Sequence, residues 1–233
     1  MMYNSTYDRK EIRNDSYNVF EYIGKYYKSH FLCLDLGCGS CRKISQISNK
    51  VKLYYAVDFN SQRIADALEI NEEYPNIILG VADNFYLPFK KESFNLVSSF
   101  MTKHSVMEVN RVLKPEGLFI VETTGANDKR NFKLEFGKDH LGFRGRMLED
   151  TIDEQLLRIR KSLTPFFEIR DIYCKEFVTT ISTKFLTKLL EMTNEIRNFD
   201  ITKDKDIMEK LSDNNGNVTY NEERIIIICQ KKE

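Results

Sequence analysis

Two glycines and a carboxylate near residue 37 are the first residues whose types and spacing suit chemistry. Asp35, Gly37 and Gly39 lie in the run LDLGCGSC at residues 34–41, where an apolar stretch ends. Glycine allows a sharp turn and lets the backbone approach a ligand without a clash at Cβ. If a helix follows, its free N–H groups favour polar or anionic ligand groups. The run therefore indicates a nucleotide-type loop, and an ordinary tight turn is the alternative for this segment taken alone.

Two further carboxylates follow the next two apolar segments. Asp58 comes after the glycine loop at about the distance where a carboxylate accepts hydrogen bonds from ribose hydroxyls. Asp83 follows the apolar segment 77–82, and open α/β sheets bind ligands at the carboxyl ends of their strands. Either residue alone could instead be the N-cap of a helix. Three consecutive strands that each end in ligand-capable groups favour a binding site.

Cys38 and Cys41 form a CxxC pair, which could also serve redox chemistry or one half of a zinc site. The sequence has five cysteines and no second CxxC to complete a tetrahedral site. The glycine-loop interpretation also accounts for Gly37 and Gly39, which a metal site leaves without a role. We therefore predict no metal site, and the odd number of cysteines suits a reducing compartment.

The elements that position these residues alternate between apolar runs and helical patterns, which is typical of an α/β domain with a mainly parallel sheet. Continuous apolar runs suit strands that are covered on both faces. Residues 61–71 place Ile64, Ala65 and Leu68 on one face of a helix. The sequence predicts seven strands, at residues 31–36, 53–58, 77–82, 94–100, 117–122, 167–173 and 224–230.

Composition narrows the class of protein. The chain has 233 residues, with 35 Lys+Arg against 35 Asp+Glu and a formal net charge of zero. That balance disfavours a protein whose affinity rests on a basic face. The apolar run at residues 225–229 is far shorter than the roughly 20 residues of a membrane span, and the opening residues are polar, unlike a signal peptide. We expect a cytoplasmic protein that does not enter a membrane.

Taken together, the motifs resemble those of the class I S-adenosylmethionine-dependent methyltransferases, of the methyltransferase domain 11 or 25 type. LDLGCGS is similar to the first motif of that family, VDFN to the second and VADNFYLPF to the third, while FNLVSSF resembles the fourth strand and NRVLKPEG the turn before the fifth. The resemblance extends over residues 31–123. It implies a Rossmann-like seven-stranded sheet with an antiparallel last strand and helices on both faces. It also implies direct methyl transfer from S-adenosylmethionine to an N, O or C acceptor.

The resemblance assigns cofactor contacts to the ends of four strands. Asp35 and the glycines would shape the pocket for the methionine part, Asp58 would hold the ribose hydroxyls and Phe59 would pack against the adenine. Asp83 would accept from the adenine amino group. The residues that the resemblance places at the cofactor are Asp35, Gly37, Cys38, Gly39, Asp58, Phe59, Asp83, Asn84, Phe85 and Ser99.

Other residues are candidates for contact with the acceptor. Phe100 follows Ser99 at the end of the fourth strand and would face the transferred methyl group. His104 is the candidate general base, since histidine titrates in the useful range, and a solvent-facing residue at a helix start is the alternative. The segment 125–146 carries an excess of basic residues, among which Lys133 and Arg144 are candidates for recognition of the acceptor. A solvated loop with core-anchoring aromatics is the alternative for that segment.

The chain also departs from the family pattern. Cys41 stands where the first motif often has a further glycine, and we expect the chain to be already entering a helix there. The short spacing after the fourth strand resembles the 23S rRNA guanine-N1 methyltransferases, but no cysteine before Cys33 corresponds to their zinc module. A small-molecule acceptor is therefore preferred. An rRNA or tRNA acceptor, or a non-catalytic protein that binds cofactor or a partner, is the alternative.

The expected organisation is one domain at residues 31–233 behind an N-terminal helical lid at residues 1–30. Residues 7–27 are rich in aromatic residues and are predicted to be helical. Tyr7 and Tyr17 are candidates for contact with the cofactor, and ordinary packing against the sheet is the alternative. Within the domain, we expect an excursion from the sheet at residues 125–146 and a helical insertion at residues 181–215.

Overall fold

The computed structural model describes the backbone of residues 13–14 and all of residues 17–233. Within these residues the strands, numbered in chain order, are β1 Arg13–Asn14, β2 Leu32–Leu36, β3 Leu53–Asp58, β4 Ile77–Val81, β5 Phe94–Phe100, β6 Leu113–Thr124, β7 Lys138–Asp139, β8 Gly142–Phe143, β9 Phe167–Ser182 and β10 Asn217–Lys231.

The helices lie between these strands, and single 3-10 turns are formed by Gly24–Tyr26 and Ser48–Lys50. No helix among the described residues is long and apolar enough to span a membrane. The helices are α1 Phe20–Ile23, α2 Arg42–Ser45, α3 Ser61–Ile70, α4 Val106–Val112, α5 Arg130–Leu134, α6 Ile152–Leu163, α7 Thr183–Met192 and α8 Lys205–Leu211.

Eight strands form one sheet in the order β1-β9-β10-β6-β5-β2-β3-β4. The strands β2 to β6 are paired in parallel, and β10 is inserted antiparallel between β6 and β9. The predicted fold class is thus confirmed, with the two-residue β1 as an additional edge strand. The strand order reverses at β2, which lies between β3 and β5, and open α/β sheets bind ligands at such a switch point.

Apolar clusters cover both faces of the sheet, as the continuous apolar runs predict. On β6, Phe119 and Val121 join a cluster with α4 and α6, while Ile120 joins the opposite cluster with Ile23 and Ile44 of α1 and α2. Side chains alternate between the faces of a strand. On β6, the residues that alternate with Phe119 and Val121 therefore lie on the sheet face that α1 and α2 cover.

The N-terminal segment corrects one prediction. Over the described residues 13–14 and 17–27, where a helix is predicted, the structure has the four-residue α1 and one 3-10 turn, and Arg13 and Asn14 pair with Thr180 and Thr179 of β9. Aromatic residues at mixed spacings give no continuous helical stripe, so their packing against the sheet decides the conformation. Tyr7 lies outside the described residues.

The excursion at residues 125–146 holds α5 and a small β7–β8 hairpin. The helices α7 and α8 lie between β9 and β10, within the predicted insertion at residues 181–215. Both parts pack together, because Phe132 and Phe136 share a buried cluster with Leu186, Leu190 and Met208. The excursion is therefore anchored by its own small core.

Candidate binding site at the carboxyl edge of the sheet

The glycine loop after β2 has left-handed backbone at Gly37, Gly39 and Cys41, with φ of 65°, 56° and 59°. A Cβ on Gly37 would come within 2.5 Å of the Thr102 hydroxyl oxygen, so that this position admits no side chain. A Cβ on Gly39 would meet nothing within 4 Å. The loop therefore packs tightly against Thr102 on one side and presents bare backbone to open space on the other, as a ligand-binding loop requires.

The chain enters α2 directly after Cys41, as predicted, but the backbone of Cys41 itself is not helical. It precedes α2 with φ 59° and ψ 2°, in the left-handed region, and its side chain is buried. This backbone disfavours a residue with a Cβ by about 1–2 kcal/mol. Where the family that the motifs resemble often has a glycine, Cys41 thus keeps the left-handed conformation and fills a core position.

Asp58 fastens the glycine loop to the end of β3. It is 2% exposed, and its Oδ2 accepts a hydrogen bond from the Gly39 N–H at 3.0 Å. The other carboxylate oxygen accepts from the Asn60 N–H at 2.9 Å, and Arg63 Nη1 lies 3.8 Å from Oδ2. A carboxylate held by backbone donors keeps lone pairs for further donors, such as hydroxyls.

Asp35, like Asp58, is buried. It lies at the end of a chain of hydrogen-bonded hydroxyl groups. Its Oδ1 accepts from Ser98 Oγ at 2.6 Å, Ser98 lies 2.9 Å from the Tyr54 hydroxyl, and Tyr54 lies 3.3 Å from the hydroxyl of Tyr27. Burial raises the pKa of Asp35 to about 7, although Ser98 and Lys43 act in the opposite direction. Sequence reasoning missed this chain, because its members are brought together only by the sheet.

Aromatic and amide groups are exposed beyond β3 and β4. Phe59 is 76% and Phe85 47% exposed, and Asp83 Oδ1 accepts from the Phe85 N–H at 2.9 Å. The Asn84 amide donates to the Lys103 carbonyl at 3.0 Å, and its Oδ1 is buried with no partner among the described residues. Exposed rings beside an unpaired acceptor are features of a surface that a flat, polar-edged ligand covers.

Ser99 and His104 are brought together at the end of β5. The Ser99 Oγ lies 2.8 Å from His104 Nδ1, and the imidazole packs edge-on against Phe119, with ring centroids 5.1 Å apart. Burial lowers the pKa of His104, so the ring is neutral at neutral pH. His104 is therefore a half-buried, hydrogen-bonded side chain, unlike the solvent-facing alternative.

Glu122 and Lys43 are polar residues of this edge that sequence reasoning missed. The buried Glu122 carboxylate forms an ion pair with Lys43 and accepts a hydrogen bond from Tyr17 Oη at 2.7 Å. Lys43 also lies over the ring of Phe100, 4.9 Å from its centroid. A carboxylate near the carboxyl end of a buried strand was the available signal, and it is the same signal that identified Asp58.

Lys133 and Arg144 do not form the exposed basic surface that was predicted for them, and that prediction is wrong in this respect. Lys133 is 2% exposed and lies 3.0 Å from Glu195. Arg144 donates two hydrogen bonds to Asp204, at 2.7 and 2.8 Å. Because acidic partners from the insertion neutralise both cations, they are structural ion pairs of the small C-terminal core.

The chain is similar to several known proteins. Residues 34–121 match the family described as Methyltransferase domain. An uncharacterized protein of Methanocaldococcus jannaschii is 28% identical over 179 residues, which are 70% of this chain and 67% of that protein. Arginine-hydroxylase NDUFAF5, mitochondrial, of Homo sapiens is 35% identical over 98 residues, which are 38% of this chain and only 27% of that protein.

Among solved structures, a candidate methyltransferase of Bacillus halodurans C-125 is similar to the chain with a TM-score of 0.65 and 16% identity. The alignment covers 92% of this chain and 99% of that one. At this identity the likeness shows the fold alone. The family match covers residues 34–121. This range includes the glycine loop and the carboxyl ends of β3, β4 and β5, where the site described above lies.

Proposed function

We propose that this chain, which belongs through residues 34–121 to the class I S-adenosylmethionine-dependent methyltransferases, transfers a methyl group from that cofactor to a small-molecule acceptor. The observation that carries the proposal is the hydrogen bond between Asp58 and the Gly39 backbone, with Asp35 buried beside it. These groups lie at the switch point of the sheet, where ligands of open α/β folds bind.

The residues present fit S-adenosylmethionine. The open space over Gly39 leaves room for the methionine part next to Asp35, and Asp58 has acceptor capacity for ribose hydroxyls. Phe59 and Phe85 are exposed rings for the adenine, and the unpaired Asn84 Oδ1 is an acceptor on the same wall. The assignment of these contacts, including Gly37, Cys38 and Asp83, is part of the proposal.

S-adenosylmethionine, when bound, supplies an electrophilic methyl group on a cationic sulfur. The chain's own contribution begins with orientation, since holding two reactants in line accounts for much of the acceleration in such reactions. We assign His104 the role of general base for an N–H or O–H acceptor. Burial lowers the pKa of His104, so at neutral pH the ring carries no charge and can accept a proton. Ser99 fixes the orientation of that ring, and Phe100 lies beside the acceptor.

The acceptor class is proposed from charge. The chain carries no net charge, and Lys133 and Arg144 are paired internally. These features support a small molecule over an RNA, whose phosphates need unpaired cations. The partial match to an arginine-hydroxylase supports a second candidate, in which a related site hydroxylates an arginine.

Two measurements test the proposal. Calorimetry with S-adenosylmethionine should show binding to the wild type, and the absence of measurable affinity would contradict the cofactor assignment. Incubation with methyl-labelled cofactor plus either a metabolite extract or total RNA then identifies the acceptor class. We expect label in a small molecule. Label in RNA would overturn the acceptor proposal. A hydroxylated arginine without label, formed when O2 and a reductant are also supplied, would favour the second candidate.

A further inference from the structure

Glu122 joins three parts of the chain that are far apart in sequence. Its side chain is 1% exposed and lies near the carboxyl end of β6, on the sheet face that α1 and α2 cover. One carboxylate oxygen accepts from Tyr17 Oη of the N-terminal segment at 2.7 Å. The other is bonded to Lys43 of α2, the helix that follows the glycine loop. A single carboxylate therefore connects the N-terminal segment, the loop helix and a central strand.

Aromatic rings pack against the residues that surround this carboxylate. The ring of Tyr17 stacks on Phe177 of β9 with a centroid distance of 4.6 Å and an interplanar angle of 2°. Phe20 of α1 meets Phe100 of β5 edge-on at 6.1 Å, and Lys43 Nζ lies over the Phe100 ring, 4.9 Å from its centroid. The N-terminal segment is thus docked on the sheet directly beside the proposed cofactor site.

An ion pair of this kind is a costly way to hold two segments together, because the Glu122 carboxylate loses its water on burial while Lys43 stays 37% exposed. The face already contains apolar partners for α1, such as Ile120 and Ile226, which would stabilise docking without any charge. What the pair adds is a geometric link between Tyr17 and Lys43. Lys43 and Glu122 also act electrostatically on Asp35, so the link extends to a carboxylate of the cofactor site.

We infer that Glu122 is a positioning residue that couples the binding of S-adenosylmethionine to the docking of residues 17–27 over the sheet. The inference rests on the proposed function, because the ligand is the cofactor of that proposal. When the loop and α2 are held by the ligand, Lys43 holds the Glu122 carboxylate, and the carboxylate holds Tyr17. Docking of the segment in turn fixes Lys43 and hence α2, since coupling between two sites is reciprocal.

The test compares S-adenosylmethionine affinity, measured by calorimetry, among the wild type, Tyr17→Phe, Glu122→Gln and the double variant. Tyr17→Phe removes the donor, and Glu122→Gln keeps an acceptor of the same size but removes the charge that holds Lys43. We expect each single change to weaken binding about fivefold or more, at the low end of measured couplings. The double variant should lie within about twofold of Glu122→Gln, since a hydrogen bond to a neutral partner is weaker.

Tyr26→Phe is the matched control. Tyr26 belongs to the same segment and its hydroxyl also bonds to a carboxylate, that of Asp171 on β9, a strand that β10, β6 and β5 separate from β2 and its glycine loop. Its loss removes a bond of the segment that is not made to Glu122, so cofactor affinity should change by less than twofold if the coupling runs through Glu122 and Lys43. Hydrogen exchange gives a second measurement: cofactor should slow exchange of residues 17–27 in the wild type and no longer do so in Glu122→Gln. A merely structural role would raise exchange without abolishing that response.

The outcomes separate the inference from the proposed function. A wild type that does not bind S-adenosylmethionine contradicts the proposed function, and the inference falls with it. A wild type that binds, with Tyr17→Phe and Glu122→Gln both within twofold of it, overturns the inference alone. If Glu122→Gln does not fold, the comparison of Tyr17→Phe with Tyr26→Phe decides, and equal affinities of those two variants would reject the coupling.

Discussion

The backbone N–H of Gly39 donates to Oδ2 of Asp58 at 3.0 Å, which fastens the glycine loop of one strand to the end of its neighbour. The two residues are therefore one unit: the carboxylate that is proposed to bind ribose also fixes the loop that is proposed to bind the methionine part. Changes at Asp58 should then affect the cofactor in two ways, through a lost contact and through a displaced loop.

Replacement of Asp58 by alanine should weaken S-adenosylmethionine binding by about 100-fold or more. Each hydrogen bond to a charged group is worth about 1.5–3 kcal/mol, and the change removes the bond to Gly39 together with the proposed ribose contact. Calorimetry gives the affinity. Glu69→Ala, which removes an exposed carboxylate from α3, is the control and should bind as the wild type does. Equal affinities of the two variants would refute the proposed role of Asp58.

The stability of the ligand-free protein should depend on Asp35 between about pH 4 and pH 7. Burial raises the pKa of Asp35 to about 7, whereas the unfolded chain ionises this group near its ordinary pKa of about 3.9. The folded state therefore binds more protons in this window, and the free energy of unfolding falls as the pH rises through it. Urea titrations at several pH values should show a smaller decline for Asp35→Asn. Parallel curves for both proteins would contradict the raised pKa.

Replacement of His104 by glutamine should lower kcat by about 10²-fold at pH 7 and leave cofactor affinity unchanged. Loss of a general base costs about 10²–10⁴-fold in such reactions, and glutamine can still bond to Ser99. Steady-state kinetics with the identified acceptor provide the measurement, and His30→Gln, at an exposed histidine, is the matched control. A variant with full kcat would leave His104 with only its packing against Phe119.

Cys41→Gly should be more stable than Cys41→Ala by about 1 kcal/mol. Alanine retains the unfavourable left-handed backbone at φ 59°, while glycine adopts it freely. Both variants lose the buried sulfur, so their difference isolates the backbone. The free energy of unfolding in urea measures it. A more stable alanine variant would show that the loop relaxes out of this conformation.

Lys133→Met should lower the free energy of unfolding by about 2 kcal/mol and leave the KM for the acceptor unchanged. Loss of one partner of a fully buried pair costs about 3–5 kcal/mol, and the value is reduced here because Glu195 is 21% exposed. Lys138→Met, at an exposed position, is the control and should have no effect on stability. A raised KM in Lys133→Met alone would restore the predicted role of this residue in acceptor recognition.

The sequence predicted the parallel strands and their ends well, because an apolar run that stops at a glycine or an aspartate is a local signal. Asp58 and Asp83 could be assigned to one edge on that basis. The conformation of Cys41 could not, since a left-handed residue without glycine has no distinctive local pattern.

Contacts across long sequence separations were beyond local reasoning. The excess of basic residues at 125–146 was visible, but the partners Glu195 and Asp204 of Lys133 and Arg144 follow about sixty residues later. The same applies to Glu122, whose partners Tyr17 and Lys43 come from two other segments. The short helix α1 also depends on tertiary packing, because the aromatic residues around it lack helical periodicity.

The position of β10 between β6 and β9 bears on the order in which the chain can assemble during synthesis. The parallel strands β2 to β6 all precede residue 125. They can therefore pair as soon as they have emerged from the ribosome. β9 has no place beside them until residues 217–231 emerge and bridge the gap, and β1 must wait for β9. Nascent chains arrested before β10 should therefore expose two unpaired strand edges and be especially open to aggregation and chaperone capture.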